Sequence, residues 1–330
     1  MINEFKSFFI AGWSVFLKTV AEINMRSLPG KPVRDVRKYI VHQNLRRTYK
    51  IHVPPVHDSN AKLPVVFALH GRGATGESMI LITKKGLNIL ADAEGFIVVY
   101  PDAVELNWND GRSDEEADDR AHRENIDDVG FISSLADLMI NDYNADPQRI
   151  YVTGISNGAI MAYRLACELS HKIAAIAPVD GNMPFMLTRE CRHTNPVSVL
   201  AINNVNDPVV PFDGGEIYTH FRKRLGKVLS TEDSLIFWVN RNKCLPTAHI
   251  SELDDTDPTD GTRVYVKHYE GGSGDTEVIL YAVEGGGHTW PGGFQYLPVR
   301  LIGRTSRDID ANEIIWSFFK KHRKQSGSIS

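Results

Sequence analysis

The most informative stretch of the chain is Ile150-Tyr-Val-Thr-Gly-Ile-Ser-Asn-Gly-Ala-Ile-Met-Ala162, in which a Gly-x-Ser-x-Gly pattern joins two apolar segments. Residues 150–154 have the character of a buried strand, and the residues after Gly158 have helical spacing. A tight turn between such elements lifts the Ser156 oxygen clear of the sheet, and small neighbours leave room for its strained backbone. The helix that follows directs its first N–H groups toward this oxygen. The pattern therefore predicts a nucleophilic serine, the alternative being a glycine-rich turn with serine as the helix cap.

Short apolar segments alternate with helical segments along most of the chain. This alternation predicts an α/β fold, with a mostly parallel central sheet and helices on both faces. Ligands bind at the carboxyl ends of the strands in such sheets, so the residues after each strand are the candidates for a site. Strands are predicted at 65–69, 96–100, 150–154, 173–179, 197–202, 263–269 and 277–283, after an N-terminal hairpin within 36–53, and helices at 77–93, 126–143, 155–170, 234–241 and 310–322.

Two other predicted strands end beside residues that suit a nucleophilic serine. The run 197–202 leads to Asp207, and the run 277–283 leads through three glycines to His288. A serine nucleophile needs a histidine to take its proton and an acid to orient that histidine. Asp213 is the alternative acid, but it lies further from the strand end and suits a turn in Phe212-Asp-Gly-Gly. The sequence therefore predicts Ser156, Asp207 and His288 as one catalytic group.

The segment LHGRGATGES, residues 69–78, has two interpretations. Its Gly71-x-Gly-x-x-Gly pattern follows a predicted strand, and Asp102 follows the next strand, as in a dinucleotide-binding site that would make the chain a nicotinamide-dependent oxidoreductase. The segment also begins His70-Gly71, as do loops that donate N–H groups to a reacting carbonyl oxygen. The first interpretation leaves the predicted catalytic group without a role, so the second is favoured.

Composition narrows the class of protein. The chain has 330 residues, 42% of them hydrophobic and 24% charged, with a net charge of −4, which gives no electrostatic case for binding nucleic acid or an anionic membrane.

Residues 31–325 suit a single domain. Residues 1–30 form a separate segment whose apolar run 8–17 has the length of a signal-peptide core and is too short to span a bilayer. An amphipathic helix is the other interpretation, and the location stays open, with secretion or a periplasmic location slightly favoured over the cytoplasm.

The three cysteines allow one disulfide. Cys167 lies in a helical pattern and is expected to be a small buried hydrophobic residue. Cys191 and Cys244 lie in loop-like surroundings and would be able to pair if the protein is exported. The spacing of cysteines and histidines suggests no zinc site, and we expect neither a metal nor a cofactor.

Together these stretches resemble a known family. Those that carry the resemblance are Leu69-His-Gly-Arg-Gly, Tyr100-Pro-Asp, Trp108-Asn-Asp-Gly-Arg112, Asp127-Asp-Val-Gly-Phe131, Arg149–Gly158, Asp207-Pro-Val-Val-Pro211, Gly286-Gly-His-Thr-Trp-Pro291 and Asp308-Ile-Asp-Ala. They span about residues 50–320 and are similar to the polyhydroxybutyrate depolymerase and feruloyl or acetylxylan esterase-like group of the α/β-hydrolase superfamily.

The resemblance implies a serine esterase that acts through an acyl-enzyme on small or polymeric esters: polyhydroxyalkanoate-type, feruloyl, acetyl or short-chain. It implies an oxyanion hole formed by the backbone N–H groups of Arg72 and Asn157, although the family often has cysteine where this chain has Arg72. It also supports pairing of Cys191 with Cys244, since the family tends to have cysteines near both positions. A non-catalytic, hydrolase-like binding protein is a further alternative.

Two tryptophans are candidates for the walls of the substrate pocket. Trp290 follows His288 closely, and Trp108 lies in one of the stretches that carry the resemblance. Large aromatic side chains suit an acyl or aryl pocket, but ordinary core packing is the alternative for both.

Overall fold

A single large sheet organises the protein. The structure is a computed structural model, and it describes residues 35–55, 61–112, 119–192, 194–218 and 224–324. The predicted segment 1–30 therefore lies outside the described residues. The strands are β1 (Asp35–His42), β2 (Leu45–His52), β3 (Leu63–Leu69), β4 (Ile97–Pro101), β5 (Ala145–Ile155), β6 (Ala175–Val179), β7 (Ser198–Asn204), β8 (Gly215–Tyr218), β9 (Arg224–Val228), β10 (His249–Glu252), β11 (Arg263–Tyr269) and β12 (Val278–Glu284).

Ten of these strands form one sheet in the order β1-β2-β4-β3-β5-β6-β7-β12-β11-β10. The pairs from β4 to β12 are parallel, and the pairs at the two edges are antiparallel. The helices are α1 (Gly76–Ile82), α2 (Gly86–Glu94), α3 (Arg120–Arg123), α4 (Asp128–Asp142), α5 (Asn157–Glu168), α6 (Leu187–Glu190), α7 (Thr231–Asn242), α8 (Val299–Ile302) and α9 (Ala311–Phe319).

Helices cover both faces of the sheet. In β3, Val65, Phe67 and Leu69 belong to the core that α4, α5 and α7 cover, whereas Val66 and Ala68 belong to the core under α1, α2 and α9. The side chains of a strand point alternately to its two faces, so β3 is apolar throughout because both faces are buried. Each fully buried aliphatic or aromatic side chain contributes about 1.5–3 kcal/mol to stability. The predicted α/β-hydrolase fold, a mostly parallel sheet with helices on both faces, is confirmed.

Several local features differ from the sequence prediction, among them strand β10 and the short helices α3, α6 and α8, which were not predicted. The single helix predicted over 77–93 is two helices, because Lys84 and Lys85 adopt positive φ angles of 53° and 60° and so end α1. The hairpin of β8 and β9, a two-stranded sheet apart from the main one, was not predicted. No helix within the described part of the chain is long and apolar enough to cross a membrane.

The predicted disulfide is wrong in one partner. Cys191 is bonded to Cys167, with their Cα atoms 4.8 Å apart, while Cys244 is buried without a disulfide. Cys167 lies on the buried side of α5, as its helical spacing predicted, but burial does not prevent pairing when a second chain segment packs there. Cys244 lies elsewhere, close to the carbonyl of Thr276.

Candidate active site

Ser156 lies in a strained turn at the carboxyl end of a central strand. It follows β5 directly, precedes α5 and adopts a φ of 58°. Its N–H donates to the carbonyl of Val179 at 3.0 Å, and its own carbonyl accepts from the N–H of Ile160 at 2.9 Å. The side chain makes no capping hydrogen bond to α5. A non-glycine residue with positive φ is uncommon, and here the neighbouring strand and helix hold it in place.

The glycines on either side of Ser156 are required by the loop that follows β3. A Cβ atom would lie 2.7 Å from the Leu69 carbonyl oxygen if placed on Gly154, and 2.4 Å from the same oxygen if placed on Gly158. The serine turn and the start of the loop 70–76 are therefore packed backbone against backbone. This close approach explains the Gly-x-Ser-x-Gly pattern without reference to any substrate.

We expect Gly158→Ala to destabilise the protein by about 1–3 kcal/mol, because the added methyl group must push the two backbones apart. Gly71→Ala is the matched control, since a Cβ there would meet Ile155 and Ser156 at an ordinary 3.4 Å. Urea unfolding followed by circular dichroism measures both. Equal stability of Gly158→Ala and the unsubstituted protein would contradict the packing argument.

His288 and Asp207 form a hydrogen-bonded pair. The Nδ1 atom of His288 lies 2.6 Å from Asp207 Oδ2, and the other carboxylate oxygen accepts from the N–H groups of Val209 at 2.6 Å and Val210 at 3.0 Å. Burial alone would lower the pKa of His288, but the negative charge of Asp207 and its hydrogen bond to the ring outweigh burial and raise this pKa. The alternative acid, Asp213, lies in an exposed turn.

Ser156 and His288 line one cavity of about 420 Å³. Arg72 and Asn157, the predicted oxyanion-hole residues, line the same cavity. Most of the remaining wall is apolar, and the hairpin that the sequence did not predict supplies part of it. The apolar lining includes Ile82, Val209, Val210, Ile217, Leu225 and Leu297.

The loop that carries Arg72 is fixed by the loop after β4. His70 Nδ1 donates to its neighbour's carbonyl, that of Gly71, at 2.8 Å, and its Nε2 accepts from the Ala103 N–H at 3.0 Å. The N–H of Gly73 donates to the carbonyl of Leu106 at 2.8 Å. Burial lowers the pKa of His70 to about 4, so the ring stays neutral near pH 7 and keeps one donor and one acceptor.

The Asp102 carboxylate accepts hydrogen bonds from other residues of the protein. It accepts from the Gly76 N–H at 2.9 Å, from the Thr48 hydroxyl at 2.7 Å and from Arg37 at 2.9 Å. Gly76 packs closely, since a Cβ there would lie 2.5 Å from the Tyr100 carbonyl oxygen. The ribose contact and phosphate-binding loop of the oxidoreductase interpretation are therefore not supported. Within this pattern Gly76 permits the close packing of the chain against β4.

A buried polar network lies behind Asn157, and the sequence did not mark its residues as partners. The Asn157 side chain accepts from the Trp108 N–H at 2.8 Å and donates to Asp110 at 2.5 Å. Asp110 is paired with Arg112 at 2.7 Å and with His122 at 3.2 Å. Burial would raise the pKa of Asp110, but these two partners hold it well below its usual range, and two carboxylates raise the pKa of His122 to about 9.

Part of this network was visible in the sequence. Asp110 and Arg112 lie in a stretch that carries the family resemblance, although nothing in it marked them as partners of Asn157. His122 had no signal at all, because it reaches the network from a separate helix, α3.

The predicted pocket role of Trp108 and Trp290 is wrong. Both are fully buried, and neither lines the cavity. Trp108 packs against His70, with ring centres 5.0 Å apart, and donates from Nε1 to the carbonyl of that residue at 2.9 Å. Trp290 belongs to the core beneath α1 and α9. In the sequence, an aromatic residue near a site is equally compatible with lining a pocket and with packing in the core.

Comparison with known proteins identifies relatives of the chain. Residues 47–213 match the family model described as esterase PHB depolymerase. The chain is 30% identical over 298 residues to a protein named "Putative esterase NocK" from Nocardia uniformis subsp. tsuyamanensis, covering 87% of this chain and 84% of that protein. It is 28% identical over 180 residues to feruloyl esterase C from Emericella nidulans, covering 53% and 60% of the two chains.

The fold also occurs among solved structures. Acetyl xylan esterase from Aspergillus awamori superposes with a TM-score of 0.51 at 15% identity, covering 77% of this chain and 94% of that one. At this identity the likeness concerns the fold alone.

Proposed function

Because the chain belongs to the esterase PHB depolymerase family and is a carboxylic ester hydrolase, we propose that Ser156, His288 and Asp207 form its catalytic triad. The observation that carries the proposal is the hydrogen bond of 2.6 Å between His288 and Asp207, beside a cavity that Ser156 also lines. With Nδ1 directed to Asp207, the Nε2 atom of His288 is left to take the serine proton.

The reaction proceeds through an acyl-enzyme. His288 takes the proton of Ser156 Oγ as this oxygen attacks the ester carbonyl, and the tetrahedral intermediate collapses when His288 gives the proton to the leaving alcohol. His288 then deprotonates a water molecule, which attacks the acyl-enzyme and releases the acid with the serine restored. Asp207 holds the ring in the required tautomer and stabilises the imidazolium that forms in both steps.

The developing oxyanion is stabilised by two backbone N–H groups, those of Arg72 and Asn157. Both lie on anchored backbone: Asn157 is the first residue of α5, and Arg72 lies in the loop that His70 and Gly73 anchor. Donors fixed in advance need no reorganisation as charge appears on the substrate, which is the main source of stabilisation in such sites. The Arg72 side chain has a protein partner nearby, since its charge helps lower the pKa of Asp119.

The cavity favours short acyl groups. A volume of about 420 Å³ lies toward the lower end of the roughly 300–1,000 Å³ typical of small-molecule sites. Its aliphatic walls suit a short aliphatic or aryl acyl group better than a long chain. Among the ester classes that the family resemblance suggests, short-chain, hydroxyalkanoate and compact aryl esters therefore fit best.

A panel of p-nitrophenyl esters of increasing acyl length tests this proposal. We expect kcat/KM to peak at acetate to butyrate and to fall at least tenfold by octanoate. Absence of hydrolysis of every ester would contradict the function, whereas an unchanged kcat/KM up to palmitate would contradict only the substrate assignment.

Leu225→Ala should widen the cavity, because Leu225 lines it from β9. We expect the ratio of kcat/KM for octanoate to that for butyrate to rise about tenfold or more, since one methylene group in an apolar pocket changes kcat/KM by roughly 10- to 200-fold. Leu229→Ala is the matched control, because this similarly half-buried leucine lies four residues further on and outside the cavity. An equal change in both variants would show that the effect is not local to the cavity.

A further inference from the structure

A second buried carboxyl group lies next to the His288–Asp207 pair. Asp180 directly follows β6 with a φ of 49° and is 2% exposed. One carboxylate oxygen of Asp180, one carboxylate oxygen of Asp207 and a ring nitrogen of His288 all lie within 4.8 Å of one another. The sequence analysis did not select this residue, and the catalytic steps above do not use it.

Asp180 joins the two loops that carry the histidine and its acid. It accepts from the backbone N–H of Asn204 at 2.9 Å and from the side-chain amide of the same residue at 2.8 Å. It also accepts from the backbone N–H of Thr289 at 2.8 Å. Asn204 ends β7 three residues before Asp207, and Thr289 directly follows His288, so one carboxyl group fixes the backbone on both sides of the pair.

We propose that Asp180 is a positioning residue for His288, holding the backbone beside the imidazole and supplying a second carboxylate next to it. The inference rests on the proposed function, because its effect on the rate passes through His288. Asp180 does not itself line the cavity, whereas His288 does, so Asp180 acts on the imidazole and not on the substrate.

The charges around Asp180 make the inference measurable. Burial, followed by the charge of Asp207, raises the pKa of Asp180 to about 8, although protonated His288 and the hydrogen bonds from Asn204 act in the opposite direction. The other titratable group facing it among the described residues is Tyr296, whose pKa burial raises far above its usual value, so this phenol stays neutral. His288 and Asp180 each influence the other's proton affinity, so they titrate as a coupled pair.

The sign of the effect follows from these directions. Below about pH 8 Asp180 holds a proton, and above it the group becomes a carboxylate beside His288. A carboxylate there stabilises the imidazolium that forms in the transition state. We therefore expect kcat/KM of the unsubstituted protein to rise in two steps with pH, one from His288 and a second near pH 8.

The test is kcat/KM for p-nitrophenyl butyrate from pH 5 to 10, for the unsubstituted protein and for Asp180→Asn. The amide has no charge at any pH, so the second step should disappear, with a loss of about three- to tenfold at pH 9 relative to the unsubstituted protein. Asp146→Asn is the matched control: Asp146 is also buried and accepts hydrogen bonds, but it lies at the start of β5, at the opposite end of the sheet. It should retain both steps.

Each outcome decides the inference. A uniformly lower Asp180→Asn profile with both steps kept would mean a purely structural role and overturn it. If the variant does not fold, the profile of the unsubstituted protein decides, because a single step there overturns it as well. If the unsubstituted protein hydrolyses the ester with a single step in its pH profile, only the role of Asp180 is contradicted. If it hydrolyses no ester at any pH, the proposed function itself is contradicted.

Discussion

Replacing Ser156 by alanine is expected to lower kcat for p-nitrophenyl butyrate by about 10⁴- to 10⁶-fold, because no acyl-enzyme can form without the serine oxygen. The change should leave the free energy of unfolding within about 0.5 kcal/mol, since the side chain makes no capping hydrogen bond. Initial rates and urea unfolding of the same preparation measure the two effects.

A second serine provides the control for this variant. Ser78 lines the same cavity from α1, where it takes part in a capping box with Thr75. Ser78→Ala should keep kcat within about tenfold and lose about 1 kcal/mol of stability through the weakened cap. A Ser156→Ala variant that stays within tenfold of the unsubstituted protein would eliminate this serine as the nucleophile.

Asp207→Asn is expected to lower kcat by about 10³- to 10⁴-fold through the histidine tautomer. The N–H groups of Val209 and Val210 both point at one oxygen of this side chain. They would hold the amide oxygen of the asparagine and turn its NH₂ group toward His288 Nδ1. The ring would then carry its proton on Nε2 and be unable to accept the proton of the serine.

Asp213→Asn is the control, because it removes the alternative acid six residues along the chain. This exposed turn residue should tolerate the change with kcat altered less than threefold. The reverse result, with activity lost in Asp213→Asn and kept in Asp207→Asn, would reassign the acid. The pH dependence of any residual activity in Asp207→Asn would also report how far Asp180 supports the histidine alone.

The sequence was informative where function depends on local chain geometry. Ser156, Asp207 and His288 each follow a strand whose apolar pattern is readable over five to seven residues, and the parallel order of those strands brings their ends together. The glycines around Ser156 were equally readable, since only glycine permits the close contact with the Leu69 carbonyl. The sheet, its covering helices and the residues at its carboxyl edge were thus predictable.

What the sequence did not reveal depends on contacts between distant segments. Cys191 pairs with Cys167 because the segment after α6 packs on α5, and neither cysteine's surroundings specify this. Trp108 and Trp290 fill the core near the site. Their residue type and their positions in the sequence could not distinguish core packing from lining a pocket. Asp180 was invisible for a similar reason: its partners come from two other strand ends.

The cavity wall was also beyond prediction. The β8–β9 hairpin is short, lies apart from the main sheet and buries few residues of its own, so its apolar pattern was weak. Yet Ile217 and Leu225 from this hairpin line the cavity. The residues at the strand ends were therefore more predictable than the wall of the cavity beside them.

Covalent labelling with a fluorophosphonate asks directly whether Ser156 is the nucleophile, since this reagent phosphonylates the activated serine of a triad far faster than ordinary hydroxyl groups. We expect intact-mass spectrometry to find one phosphonyl group on the unsubstituted protein and peptide mapping to place it on Ser156. Ser156→Ala should remain unlabelled, and Asp207→Asn should label more slowly by orders of magnitude. Absence of labelling in the folded, unsubstituted protein, or labelling at another residue, would contradict the assignment of Ser156 as the nucleophile of this hydrolase.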